Sequence, residues 1–364
     1  MIVEGAIVDR DGIRTGYVRF RGPRVIEVGA IGTDSTRGRV RRIHGIVVPP
    51  PVNSHTHLGD SVSSREPPLG PVGDIVGSPT GLKFRLLSET PRARKVRAMR
   101  SALARMRRAA VAATVDFREE GLDGVRQLRE ASTGSGVDVR ILGRPLARPV
   151  DPVELDRLLK ECDGIGLSSS REEGPEVRAT IARRCRTLGK RYALHASEEV
   201  REPVDRYLSP KPDLLVHLVK ATPDDLEAVG AAGVAVAVCP RSNALFGRRP
   251  DLARFEKLGL RMLLGTDNAM FHAPSIFREL EFAYVSSRLM ERPVSPAYLA
   301  RAAFVTPWEW LGEPRKAEIA PGSPATPIVL RLPTDDPAYQ LVTRATEHVI
   351  VRPGTDRPGP SSRP

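Results

Sequence analysis

Between residues 91 and 267 the chain repeats one pattern: a stretch of helical character, then a short apolar run rich in strand formers. Helical stretches at 91–110, 121–132, 151–161, 174–188, 199–208, 223–230 and 250–257 lead into runs at 113–118, 137–143, 163–168, 191–196, 213–218, 233–240 and 261–267. With the run that begins at Val47, this makes eight strands alternating with helices. Such alternation implies parallel pairing, because a parallel neighbour needs a crossover connection. Eight units close into a (β/α)8 barrel; a doubly wound open sheet is the competing arrangement.

The histidines decide between the two. Only seven occur, and four stand at the C-terminal ends of these strands: His55 and His57 on the first, His195 on the fifth and His217 on the sixth. Asp267 ends the eighth. An open sheet spreads strands 1 and 8 far apart, whereas a barrel makes them neighbours and gathers all five residues on one rim, where active sites of this fold are built. In an extended strand His55 and His57 share a face, and two neutral imidazoles form half of a metal site. Taken singly, each residue could be a hydrogen-bonded core histidine or a turn-capping aspartate.

Residues 1–30 alternate apolar and polar between Gly-rich breaks and read as short antiparallel strands. From Gly59 to Thr90 a Gly-, Pro- and Ser-rich run follows the two histidines directly, which marks it as a lid over the site. The end of the chain, rich in Pro, Gly, Ser and Arg, reads as a disordered tail, 355–364.

The chain has 364 residues, 40% of them hydrophobic and 27% charged, which suits a globular protein. No apolar run reaches membrane-spanning length, and the N-terminus lacks the features of a secretory signal. Cys162, Cys185 and Cys239 are odd in number and far apart, so they offer neither a disulfide framework nor a Cys-x-x-Cys site; a cytoplasmic location is expected. A net charge of +12 could attract nucleic acid or anionic substrates. Much of it is arginine along helices such as 92–110, a solvated-face pattern, and aromatic residues are only 5%. A small-molecule substrate is therefore the expected partner, ahead of nucleic acid or a membrane.

Together these motifs resemble the amidohydrolase superfamily, in the mononuclear branch that includes cytosine deaminase, guanine deaminase and the triazine hydrolases. The resemblance rests on His55-Thr56-His57-Leu58, His195-Ala196-Ser197-Glu198, His217, Cys239-Pro240-Arg241-Ser242-Asn243 and Gly265-Thr266-Asp267, and it covers most of the chain. It implies a catalytic barrel over 50–314 and a small β-sandwich assembled from 1–49 and 315–354. Within 318–333 the stretch PGSPA is similar to the family's Pro-Gly-x-x-Ala-Asp, with Thr326 where an Asp is usual.

The resemblance further implies one divalent metal ion per chain, zinc ahead of iron, held by His55, His57, His195 and Asp267. Asp267 would also take a proton from the attacking water, Glu198 would act as the proton shuttle, and His217 would hydrogen-bond the water or polarise the attacked centre. Strand 4, DGIGLSSS, has no lysine to bridge a second metal. Strand-end candidates for substrate contacts are Arg118, Glu119, Arg144, Ser168 and Asn268. The two arginines could bind a carboxylate or phosphate, or pair with Glu119 and Glu120. The expected activity is hydrolytic deamination of an aminated heterocycle, nucleobase-like or nucleoside-like. Hydrolysis of an amide, imino or chloro group on the same scaffold is the alternative, and a basic nucleic-acid-binding protein with a vestigial site stands further back. Relatives are often homo-oligomers, an expectation that rests on resemblance alone.

Overall fold

The computed structural model describes residues 1–36, 39–64 and 70–353, so the expected C-terminal tail lies outside the described residues. The chain opens with β1 (Ile2–Asp9), β2 (Gly12–Arg21) and β3 (Arg24–Gly29), antiparallel as expected. β4 (Arg42–Val48) follows and pairs in parallel with β1, so Val47 and Val48, where the sequence reading begins the first barrel strand, belong to this sheet. The prolines at 49–51 separate it from the true first stave, β5 (Val52–His57). Proline lacks the N–H a ladder needs, so the three together let the chain leave one sheet and enter another.

The run from Gly59 to Thr90 is more ordered than a lid loop. It contains a 3-10 turn over Leu58–Val62, then α1 (Val72–Val76) and α2 (Leu82–Glu89). After α3 (Arg92–Arg108) the alternation is regular: β6 (Ala113–Arg118), α4 (Gly121–Ser132), β7 (Asp138–Gly143), α5 (Pro152–Glu161), β8 (Gly164–Leu167), α6 (Pro175–Thr187) and β9 (Arg191–Ala196). Then come α7 (Val204–Leu208), β10 (Leu214–His217), α8 (Pro223–Ala231), β11 (Ala235–Val238), α9 (Pro240–Leu245), α10 (Leu252–Lys257), β12 (Met262–Leu264) and β13 (Asp267–Asn268). Helix starts follow local chemistry: Asp151 accepts from Glu154 N at 2.9 Å with Pro152 next to it, and Thr222 with Asp225 closes a capping box. The helix expected from 199 begins only at Val204.

Strands β5 to β13 form one parallel sheet in chain order, and it closes on itself. β12 pairs with β11 while β13, two residues further along the same stave, pairs with β5 through Asp267↔Thr56 and Asn268↔His57. The seam is sealed by Asn53, whose amide donates to Thr266 Oγ1 at 2.8 Å and whose carbonyl accepts from Thr266 N at 3.0 Å. Gly265 allows it, since a Cβ there would stand 2.7 Å from His55. Inward-facing Val115, Phe117, Leu142, Ala193, Val216, Ala237 and Leu263 fill the lumen, and the opposite residues pack on the surrounding helices.

The chain closes with α11 (Ile276–Leu289), α12 (Pro296–Phe304), α13 (Thr306–Trp310), β14 (Ile328–Leu330), α14 (Pro337–Arg344) and β15 (Ile350–Val351). The two ends build the second sheet as the sequence reading expects: β14 and β15 join β1 to β4 in one six-stranded mixed sheet. Alternation divides its side chains. Val3, Ile7, Val18, Val47 and Val329 form a separate cluster, while Ala6, Val8, Ile46, Val48 and Leu330 join the main core. Among the described residues no helix is long and apolar enough to cross a membrane, and the three cysteines are buried and free.

Candidate active site

The C-terminal ends of β5, β9, β10 and β13 bring His55, His57, His195, His217 and Asp267 together, all buried. Facing donor atoms stand at nearly equal separations. His55 Nε2 is 3.2 Å from Asp267 Oδ1 and 3.3 Å from His195 Nε2, and His57 Nε2 is 3.4 Å from the same Asp267 oxygen. Two atoms each about 2.0–2.1 Å from a tetrahedral zinc ion stand about 3.3–3.4 Å apart, so each of these three pairs has the spacing that sharing such an ion requires, within two overlapping donor groups, His55/His57/Asp267 and His55/His195/His217.

The outer ring nitrogens set the tautomers. His195 Nδ1 lies 2.9 Å from Leu167 O, and His57 Nδ1 lies 3.1 Å from Phe117 O and 2.6 Å from Glu119 Oε1. Carbonyl and carboxylate oxygens only accept, so both Nδ1 atoms carry the proton and both Nε2 lone pairs face the centre. His55 Nδ1 is buried with no hydrogen-bond partner among the described residues; Phe117 packs edge-on to its ring at 4.5 Å. Burial holds all four imidazoles below the ordinary histidine pKa, His57 at about 4 with Lys83 adding to the effect, which keeps them neutral. Burial alone would raise the Asp267 carboxyl, but the His55 contact and the imidazoles around it hold it well below the carboxylate range. Ser242 Oγ donates to its second oxygen at 2.5 Å.

Four non-glycine residues at these strand ends have left-handed backbone: Ser197 (φ 46°), His217 (φ 78°), Leu218 (φ 53°) and Asp267 (φ 59°). Such conformations cost on the order of 1–3 kcal/mol each and persist where surrounding contacts over-determine them. Here the turn after β9 is tied by Glu202, which accepts from Ser197 N at 3.1 Å and from Ser170 Oγ while its own N–H donates to Ser197 Oγ at 3.0 Å. That turn presents Glu198, whose Oε1 lies 3.6 Å from His217 Nε2. Because residues 197–203 are not helical, Glu198 is not a first-turn helix acid. Burial, with Asp267 nearby, pushes its carboxyl up to about 8. Asn243 Nδ2 approaches His217 Nδ1 at 3.2 Å; an amide NH2 donates, so His217 Nδ1 accepts and its Nε2–H points towards Glu198.

A cavity of about 1030 Å³ opens over this centre, walled by Phe84 and Phe246 as well as by polar side chains. Of the strand-end candidates for substrate contacts, Glu119, Arg144, Ser168 and Asn268 line it. Arg118 does not. It is 1% exposed and lies behind the wall, paired with Glu119 and 3.5 Å from Asp116, in a space that Gly59 leaves open. The expectation that it meets substrate is thereby corrected: Val115 and Phe117 face the lumen, so by strand alternation Arg118 faces the other way. Glu119 backs His57, and Arg144 is held by Glu172 at 2.5 Å, which also binds Ser168. Glu172, Lys83 and Asp60 were not singled out from sequence. No local motif marks them, because their charged partners are distant in the chain: Asp60 and Glu119 for Lys83, Arg144 and Arg148 for Glu172.

Comparison with known proteins agrees with this geometry. A family model described as the amidohydrolase family matches residues 190–352. A "Putative aminohydrolase" of Methanothermobacter thermautotrophicus is 32% identical over 358 residues, covering 90% of this chain and 91% of its own. The aminodeoxyfutalosine deaminase of Deinococcus radiodurans is 40% identical over 91 residues, 24% of this chain and 21% of its own. Two solved structures share the fold: an adenosine deaminase from Xanthomonas campestris with bound zinc (TM-score 0.75, 16% identity, 97% and 91% of the two chains) and a mutant atrazine chlorohydrolase from Arthrobacter aurescens with zinc and atraton (TM-score 0.76, 18% identity, 97% and 94%).

Proposed function

The chain belongs to the amidohydrolase family of metal-dependent hydrolases that act on carbon–nitrogen bonds, and from that membership we propose that it hydrolytically deaminates an aminated heterocycle, nucleobase-like or nucleoside-like. The observation that carries the reading is the place of Glu198: a carboxyl pushed up to about 8, 3.6 Å from His217 and beside the buried histidine–aspartate donor set. An amide or chloride hydrolase needs the same nucleophile, but an aromatic amidine also needs its ring nitrogen protonated before the amine can leave.

His55, His57, His195 and Asp267 would hold one zinc or iron ion, which when bound supplies the Lewis acidity that brings the pKa of a water near neutrality. Asp267 takes a proton from the water that attacks the aminated ring carbon, while protonated Glu198 donates to the adjacent ring nitrogen. The carbon–nitrogen bond then breaks: the proton gathered by Asp267 leaves with the amine as ammonia, and the proton of the added hydroxyl returns to the Glu198 carboxylate as the carbonyl forms. His217, its Nδ1 occupied by Asn243, offers its Nε2–H to the developing oxygen charge. Phe84 and Phe246 supply apolar faces for a planar ring, and the cavity has room beyond the ring for a sugar-sized substituent. Names among the relatives support the class: an adenosine deaminase by fold and an aminodeoxyfutalosine deaminase by sequence.

The test is ammonia release across aminated purines, pyrimidines, pterins and triazines with zinc-loaded protein. Ammonia from a subset of these rings is the expected result. Turnover of an amide or chloro-triazine with none of the amines would replace the reading.

A further inference from the structure

Behind His57 lies a cluster of buried charge that the reaction does not use. Glu119 Oε1 accepts from His57 Nδ1 at 2.6 Å and also contacts Lys83 Nζ, while Glu119 Oε2 is paired with Arg118. Lys83 Nζ stands 3.0 Å from Asp60 Oδ2, and Asp116 holds the chain after His57 through Leu58 N at 2.6 Å. Lys83 is 3% exposed and comes from α2, within the segment between β5 and α3, not from a barrel strand. Lysine is rarely buried so deeply without a specific partner.

We propose that Lys83 is a positioning residue for the metal centre: it clamps Glu119 in the one orientation that sets the tautomer and aim of His57. The inference rests on the reading of His57 as a metal ligand. A glutamate has three rotatable bonds, so a hydrogen bond to His57 alone would leave the carboxylate free to swing into the cavity that Glu119 also lines. Arg118 pins one oxygen and Lys83 the other. The ammonium, a compact charge with three donors, serves Asp60 and Glu119 together. Its charge also offsets part of the cluster's acidity, where Lys83 and Arg118 face three carboxyls, Asp60, Asp116 and Glu119. Because α2 carries the clamp, the β5–α3 segment is structurally tied to the metal centre as well as walling the cavity. Partners one shell out from a metal typically change affinity by about 10- to 100-fold when removed.

The experiment is zinc affinity by chelator competition, with zinc alone as the probe, on the full chain. Lys83→Met keeps the aliphatic stem and is expected to weaken zinc binding about 10- to 100-fold. Glu119→Gln should weaken it by a similar factor, and the two together should be little worse than either, because both act through one contact. Since Lys83→Met leaves Asp60 buried and unpaired, the pair Asp60→Asn with Lys83→Met removes both charges and provides a variant with the fold preserved. Wild-type affinity in the Lys83 variants overturns the proposal, even if turnover falls, since that would make Lys83 a substrate contact. Full additivity with Glu119→Gln overturns it as well. Failure of the wild-type protein to bind zinc or any divalent ion would instead sink the reading of the site, and the clamp with it.

Discussion

At the N-terminal end of the barrel, Trp310 plugs the lumen. Its Nε1 donates to Asp213 O at 2.9 Å, Arg191 lies over its ring at 5.1 Å and donates to its carbonyl at 2.7 Å, and Asp213 accepts from both Arg191 and Tyr192 N. At the C-terminal end the same strands finish in left-handed residues, four neutral imidazoles and carboxyls displaced in opposite directions, with Asp267 held low and Glu198 pushed high. One end satisfies its polar groups with one another; the other holds them ready for something that is not protein. The contrast explains how one barrel can be stable and reactive at once, with strain confined to the rim and offset by packing below.

Variants can break that division. Glu198→Gln at the rim should lower turnover by about 10²- to 10⁴-fold, the usual worth of a general acid, while zinc content stays that of the wild type; near-normal kcat would remove Glu198 from its role. Trp310→Ala at the other end should lower unfolding stability by about 3–5 kcal/mol in chemical denaturation, with kcat per folded molecule retained. A loss of kcat there, with stability intact, would erase the distinction between the two ends.

A pH profile sharpens the same comparison. Glu198 acts as an acid only while protonated, so kcat/KM should hold below about pH 8 and fall as pH rises through that value. Asp267 is held well below its ordinary range and stays ionised throughout, so it adds no limb near neutrality. The alkaline limb should vanish from the residual activity of Glu198→Gln. Smallest is the effect of Asp151→Ala, which removes the N-cap of α5 on the barrel's outer layer: about 1 kcal/mol of stability and no change in activity.

The barrel was legible because its strands are short apolar runs between helical stretches, and the seven after the first stave sit within a few residues of where the pattern puts them. The first stave was not, because the apolar run at Val47 and Val48 ends β4 while β5 reads VNSHTH, and only the prolines at 49–51 mark where one sheet ends and the other begins. α14 falls in a stretch read only for strands. At the site, histidines at strand ends are a one-dimensional signal, and the structure gathers them. Arg118 and Arg144 looked alike in sequence, yet the first is sealed behind Gly59 and the second reaches the cavity. Lys83 gave no signal, because its contacts with Asp60 and Glu119 join one segment to the end of another strand.

The most direct test of the central claim is elemental analysis of purified wild-type protein beside His195→Ala. The account predicts about one zinc or iron per chain in the wild type, since both buried donor groups share His55, and its loss or marked reduction in the variant. Two metals per chain, none, or a variant that keeps the wild-type metal content would contradict it.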